Sequence, residues 1–217
     1  MWSHRALRQL AARLTNSGFH VFRFDYFGTG DSAGASTEGD LDQWRRDIAS
    51  ALDELRDVSG VRRPSLVGFR LGATLAAQTE ARVRDLVLWE PVVSGSDFLL
   101  ELRAMHERQY AHTFFPPRLP AQGPVHEIMG HPLPPRVEAD LGATQLAPPF
   151  ACRSERVWIV AAEPQPRHLD LVDRVTAAGT LVAFEHVPES VSSPAAAFLM
   201  STRGQERIVS LLTGRPA

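Results

Sequence analysis

The chain has 217 residues, 44% of them hydrophobic, which is enough for one well-cored domain and leaves little room for a second. Its formal net charge is −2 and its 23 basic residues, all arginine, are scattered among 25 acids, so there is no basic stripe for nucleic acid. The single cysteine, Cys152, excludes an internal disulfide framework, and since Arg5, Arg8 and Arg13 interrupt the first apolar residues and no segment reaches membrane-spanning length, a cytoplasmic protein without a membrane span is expected.

From Ser3 to Asn16, Leu7, Leu10 and Leu14 share one helical face, with Ser3 placed to cap the start and Gly18 just past the end. Phe19 to Phe24 is apolar and aromatic, predicts a strand, and runs into the glycine-punctuated loop Asp25-Tyr26-Phe27-Gly28-Thr29-Gly30-Asp31-Ser32. A second helix is predicted over 41–58, where Leu41, Trp44, Ile48, Leu52 and Leu55 recur at three- and four-residue steps. A short strand follows from Ser65 to Val67, a helix over 70–81 and a strand from Val83 to Trp89. Further strands are predicted at 157–162 and 180–186, with helices at 168–178 and 195–212. Apolar strands alternating with helices predict an α/β fold, a mostly parallel sheet covered on both faces.

The stretch from Phe98 to Pro149 breaks this rhythm. Nine of the sixteen prolines lie between Pro116 and Pro149, which forbids long regular elements there. It opens with an amphipathic segment (Phe98, Leu99, Leu102, Met105) and contains Phe114, Phe115, Ile128 and Met129. It reads either as a surface excursion or as an inserted lid over the carboxyl edge of the sheet, where such folds bind ligands. The division expected is a first core part at 1–97, a lid at 98–150 and a second core part at 151–217, together one structural domain.

"LVGFRLGATLAA", residues 66 to 77, reads as a strand turning sharply into a helix. In a nucleophile elbow, G-x-S-x-G, the turn lifts a serine above the sheet and the glycines remove side chains that would clash. Here the pattern is Gly68-Phe69-Arg70-Leu71-Gly72, with arginine at the centre and small Ala73 and Thr74 behind it. With these residues the chain resembles the α/β-hydrolase superfamily over nearly its whole length: "RFDYFGTGDSAG" resembles the loop after an early strand, "LVGFRLGA" the elbow, "LVLWEP" the next strand and 98–149 the cap. "GFRLGATLAA" and "FDYFGTGDSAG" are similar, more narrowly, to a bacterial subgroup of exosortase-associated or biosynthetic-cluster hydrolases in which arginine also stands at the elbow.

The resemblance implies where a catalytic triad would lie. Its acid follows the strand at 157–162, where the turn reads Ala162-Glu163-Pro164-Gln165; the expected aspartate falls on Gln165, and Glu163 replaces it only if the turn is displaced. Its histidine follows the last strand, yet none occurs after Val187, and His186 lies on the strand itself, as either a base placed early or a structural histidine. A serine needs an adjacent base, and the base an orienting carboxylate, so this pattern reads as a degenerate triad. The resemblance further implies strands ahead of the first helix, one of which leads to an oxyanion-hole amide. This sequence starts almost inside that helix, so either its start is late or those strands are lost, and in the second case the exposed sheet edge would suit a second copy or another protein chain.

Other residues offer less chemistry. Cys152 has no identifiable base nearby in sequence, Asp31 and Ser32 suit local turn hydrogen bonds, and Ser94 and Ser96 lack a visible partner. His106, His112, His126 and His131 show no metal-ligand spacing, so neither a metal nor a cofactor is expected. Arg70 stays protonated and can be neither nucleophile nor base, but it can bind an anion beside a helix N-terminus. It serves either a ligand carboxylate or phosphate, or an internal ion pair with Glu90 or Asp25, and the two roles are compatible. The ligand-binding residues expected are Arg70, Phe69, Leu71, Glu90 and Asp25, with Glu163 and His186 the weak acid and base candidates. The function expected is a pseudoenzyme binding a small acidic molecule or a protein partner; the alternative is a working esterase, thioesterase or peptidase with a relocated catalytic residue.

Overall fold

The computed structural model describes residues 2–111, 127–188 and 202–214. A four-stranded, wholly parallel sheet forms the centre, in the order β1 (Leu66–Phe69), β2 (Ala81–Trp89), β5 (Cys152–Ala161), β6 (Val182–His186). Alternation along the strands divides the core in two. Leu86, Leu88, Val157 and Ile159 face one cluster, closed by α2 (Leu41–Ser59), α3 (Leu71–Gln78), α5 (Pro135–Ala143) and α6 (Pro166–Ala177). Val87, Trp89 and Val160 face the other, closed by α1 (Trp2–Asn16) and α7 (Thr202–Thr213). Both faces are thus apolar, which is why the strands read as nearly unbroken hydrophobic runs.

Several boundaries differ from expectation. Ser3 lies inside α1, which starts at Trp2, so it is not the cap. Phe19 to Phe24 forms no strand: Phe19 and Val21 pack against the second cluster, while Phe22 and Phe24 are 46% and 37% exposed. Apolar alternation there reports partial burial, and pairing also requires an adjacent strand edge, which none of the described strands supplies. The helix expected over 70–81 begins one residue later and stops at Gln78, where the Thr79 hydroxyl donates back to Leu75 O at 2.8 Å and the chain extends into β2. Of the helix expected over 195–212, residues 195–201 lie outside the described residues.

Residues 98–150 carry more regular structure than their prolines suggested. They include most of α4 (Gly95–Ala111), the two-residue strands β3 (Glu127–Ile128) and β4 (His131–Pro132), paired antiparallel, and α5. Pro135 stands in the first turn of α5, where its missing N–H costs nothing. Gly95 lets α4 approach α5, because a Cβ there would come within 1.7 Å of Leu141 O. His106 is a structural group here, its Nδ1 accepting from Met129 N at 2.9 Å and tying the hairpin to α4. Phe114, Phe115, His112 and His126 lie outside the described residues.

One buried charge supports the sheet. Asp85 on β2 has no exposed surface and accepts from Arg84 Nε at 2.7 Å, Ser65 Oγ at 3.0 Å and Arg156 Nε at 2.9 Å. Burial alone would raise its pKa, but hydrogen bonds from Arg84 and Ser65 and the charge of Arg156 hold it below its ordinary 3.8. A depressed carboxylate stabilises the fold above its unfolded-state pKa, and that contribution is lost as pH falls through the folded value. Asp85→Ala is expected to cost on the order of 2 kcal/mol at pH 7 and much less in strong acid, read from denaturant unfolding at several pH values.

Candidate functional site: the cleft at the strand-to-helix turn

The cleft lies at the carboxyl edge of the sheet, where β1 turns into α3. Arg70 occupies the turn with φ 53° and ψ −123°, a conformation that costs a side-chain-bearing residue roughly 1–3 kcal/mol. Its N–H donates to Trp89 O at 2.9 Å, and its carbonyl accepts from Ala73 N at 3.0 Å, so β2 and α3 both hold it. Gly68 permits the turn: a Cβ there would fall 2.5 Å from the Ala73 Cα and 2.5 Å from Gly72 O. Gly72 is less constrained, its notional Cβ meeting only the Tyr26 hydroxyl at 3.5 Å.

The turn aims Arg70 at α4. Its Nη2 lies 2.7 Å from Glu101 Oε1, and its guanidinium carbon stands 5.0 Å from the centroid of the Phe98 ring. Phe98 and Glu101 are three residues apart on one face of α4 and meet the guanidinium together. The Glu101 contact is short but poorly aligned, and Nη2 remains buried without a hydrogen-bond acceptor. The carboxylate partner of Arg70 is therefore Glu101, not Glu90 or Asp25. Glu90, itself at a positive φ of 48°, accepts from Ala162 N at 2.5 Å and bridges the ends of β2 and β5. Asp25 accepts from Asp31 N at 3.2 Å within its own loop.

Pro91, Val92, Val93 and Ser94 form one wall of the cleft, and Arg167 also lines it. This wall is pinned from both sides: Thr74 Oγ1 donates to Val92 O at 2.6 Å, and Leu146 N donates to Val93 O at 2.8 Å. Ser94 Oγ accepts from Asp97 N at 3.3 Å and lies 3.0 Å from Ser96 Oγ, a helix-capping arrangement without an activating base. The cleft is tight, with enclosed room of about 10 Å³, enough for one water molecule and far below the ~300–1,000 Å³ of most small-molecule sites.

Arg167 and His168, in the first turn of α6, were not anticipated from the sequence. Pro166 marks the helix start, and the two residues follow directly on the turn Ala162-Glu163-Pro164-Gln165, where the sequence places the acid. Arg167 Nε and His168 Nδ1 are both buried without a hydrogen-bond partner. His168 is 2% exposed, and burial, followed by the positive charge of Arg167, pushes its pKa below 6.5, so it is neutral at pH 7.

The other sequence candidates sit elsewhere. Phe69 packs against Trp89, ring centroids 5.3 Å apart, in the second core cluster, and Leu71 packs against the first; neither lines the cleft. Glu163 is exposed. His186 is exposed at the end of β6, with Nε2 3.1 Å from Ala162 O. Cys152 begins β5 and is 3% exposed, and burial pushes its thiol up to about 11, which leaves it protonated and unreactive. Among the described residues, no group of three or more His, Cys, Asp or Glu side chains is arranged to hold a metal ion, and no helix is long and apolar enough to cross a membrane.

A parallel sheet with helices on both faces and a strained strand-to-helix turn at its carboxyl edge defines an α/β-hydrolase fold. The chain belongs to the alpha/beta hydrolase family, whose model matches residues 1–216. Over 84 residues it is 37% identical to the mitochondrial palmitoyl-protein thioesterase ABHD10 of Homo sapiens and, equally, to that of Pongo abelii; the match covers 38% of this chain and 26% of those proteins. The structure of Est1E from Butyrivibrio proteoclasticus with ferulic acid bound is similar at a TM-score of 0.61 and 13% identity, over 94% of this chain and 79% of that one. That of mouse alpha/beta hydrolase domain-containing protein 10 is similar at a TM-score of 0.51 and 20% identity, over 94% and 82%. At these identities the structural likeness speaks to the fold.

Two stability measurements test the site geometry. At an ordinary position alanine is the more stable replacement, but at the Arg70 turn only glycine relieves the backbone, so Arg70→Gly should exceed Arg70→Ala by about 1 kcal/mol in thermal or denaturant unfolding. Because the folded-state pKa of His168 is depressed, the stability tied to it is complete above 6.5 and declines as pH falls below that value. In melts between pH 5 and 8, His168→Gln should show a flatter acid limb than the wild type.

Proposed function

We propose that this chain is a non-hydrolytic member of its family that binds a small acidic molecule in the cleft at Arg70. The observation that carries this reading is a guanidinium held in the strained turn where a hydrolase of this fold presents its nucleophile. Guanidinium is protonated at any physiological pH and has no lone pair with which to attack an ester. The remaining triad positions agree with the reading: Gln165 stands at the place of the acid, and no histidine follows Val187. A cationic fork beside the N-terminus of α3 is suited to a carboxylate or phosphate. On this reading the segment 98–150 acts as a lid, with α4 supplying Phe98 and Glu101, and the chain falls with the bacterial subgroup that carries arginine at the elbow.

A second reading is favoured by the 37% identity with palmitoyl-protein thioesterases: a working thioesterase whose nucleophile lies outside the elbow. The two separate in one experiment. The purified protein is assayed with p-nitrophenyl butyrate and a palmitoyl thioester and labelled with a fluorophosphonate, in the wild type and in Arg70→Ser. The proposal expects neither turnover nor labelling in the wild type, and at most trace turnover in Arg70→Ser, because no base activates the new hydroxyl. Labelling of wild-type protein that disappears on replacing one serine would establish the thioesterase reading instead.

A further inference from the structure

Two side chains of α4 stand against the Arg70 guanidinium: Glu101 Oε1 lies 2.7 Å from Nη2, and the Phe98 ring centroid lies 5.0 Å from the guanidinium carbon. With both in place the cleft keeps enclosed room of only about 10 Å³, one water molecule, so nothing larger enters it in this arrangement. The fastening is weak. The Glu101 side chain is 36% exposed, its contact leaves Nη2 without a hydrogen-bond acceptor, and an ion pair so open to water contributes little. The helix behind these two side chains is held by other residues. Leu99 and Arg103 lie on a different face of α4 from Phe98 and Glu101. Leu99 is buried beside Gly142 of α5, and Arg103 pairs with Glu138 of the same helix. Val137 and Leu141 anchor α5 in the core, and Gly95 N, at the start of α4, donates to Thr144 O at 2.9 Å.

We infer that Phe98 and Glu101 form a gate of two side chains over Arg70, closed in this structure, and that an anion meets the guanidinium in the cleft only when both turn out to solvent. Both side chains are half-buried and share one helix face, so a change of rotamer carries each of them from the cleft towards water. The helix itself stays in place as the gate opens, because its contacts with α5 and at Gly95 do not involve the gate. While the gate is closed, Glu101 supplies the carboxylate that an incoming anion would otherwise supply, so opening and anion binding are coupled through one competition for Arg70. The gate rests on the proposed function, in which Arg70 meets an anion, and adds how that meeting is controlled.

The test is the rate at which p-hydroxyphenylglyoxal, a reagent for accessible guanidinium groups, labels Arg70 in the intact chain, read by mass spectrometry of the peptide that carries it. Arg84 and Arg156, engaged with Asp85, serve as internal references, so that unfolding would show as faster labelling of all three. Glu101→Gln keeps the shape of the side chain and removes its charge, and should label Arg70 several-fold faster than the wild type. Phe98→Ala should do the same, with the references unchanged. Arg103→Gln, which breaks the pair with Glu138 on the other face of α4, should leave the Arg70 rate at its wild-type value. Sodium acetate should protect Arg70 in Glu101→Gln at a several-fold lower concentration than in the wild type. Wild-type rates in both gate variants, acceleration by Arg103→Gln equal to theirs, or equal protection by acetate with and without the Glu101 charge would overturn the gate. Acceleration confined to the gate variants, with no protection by acetate in any protein, would uphold the gate and overturn anion binding at Arg70, so the two fail separately.

Discussion

The backbone turn at Arg70 is the constraint from which the cleft follows. A residue with a side chain holds φ 53° and ψ −123° only if its surroundings leave no alternative, and here three do the holding. Trp89 O accepts the Arg70 N–H, α3 starts from the Arg70 carbonyl, and the missing Cβ of Gly68 lets helix and strand approach to a distance that alanine would forbid. Strain persists where geometry is used. In an acyl-transfer enzyme such a turn presents a hydroxyl, and here it presents a guanidinium to a cleft roofed by α4.

Placing a cation there has consequences for the elements around it. A guanidinium that is 22% exposed needs counter-charge, and α4 supplies it through Glu101, with the Phe98 ring centroid 5.0 Å from the guanidinium carbon. Arg167 arrives from the first turn of α6, and the resulting positive field, together with burial, keeps His168 neutral. Residues 91 to 94 are fixed between the Thr74 hydroxyl and Leu146, so that wall is held in place while the guanidinium groups beside it are incompletely satisfied. Unsatisfied cationic donors in a tight, mostly polar cleft are suited to holding an anionic group rather than to proton transfer.

Much of this was legible in the sequence, because its cues are local. Gly68 and Gly72 around Arg70 announce the turn, apolar runs announce strands covered on both sides, and three- and four-residue spacing announces α2. Pairing was not legible: Phe19 to Phe24 has strand composition, but a strand also depends on a neighbour that its own residues do not encode. The partner of Arg70 was missed for a similar reason. Glu90 and Asp25 were nearest by strand order, whereas Glu101 reaches the cleft only because α4 folds back over the sheet edge, held by the close approach at Gly95. Arg167 and His168 looked like ordinary helix residues, and only their burial without partners distinguishes them.

The account turns on Arg70 being open to an anion, and its own guanidinium resonance reports this most directly. The measurement is a nitrogen-15 NMR titration following the Nε–Hε signals of assigned arginines as sodium butyrate is added, with sodium chloride at equal ionic strength as reference. The account predicts a saturable shift of Arg70, while Arg84 and Arg156, engaged with Asp85 at the other end of the sheet, stay fixed. An Arg70 signal that does not move, or shifts shared equally by all arginines, would contradict it.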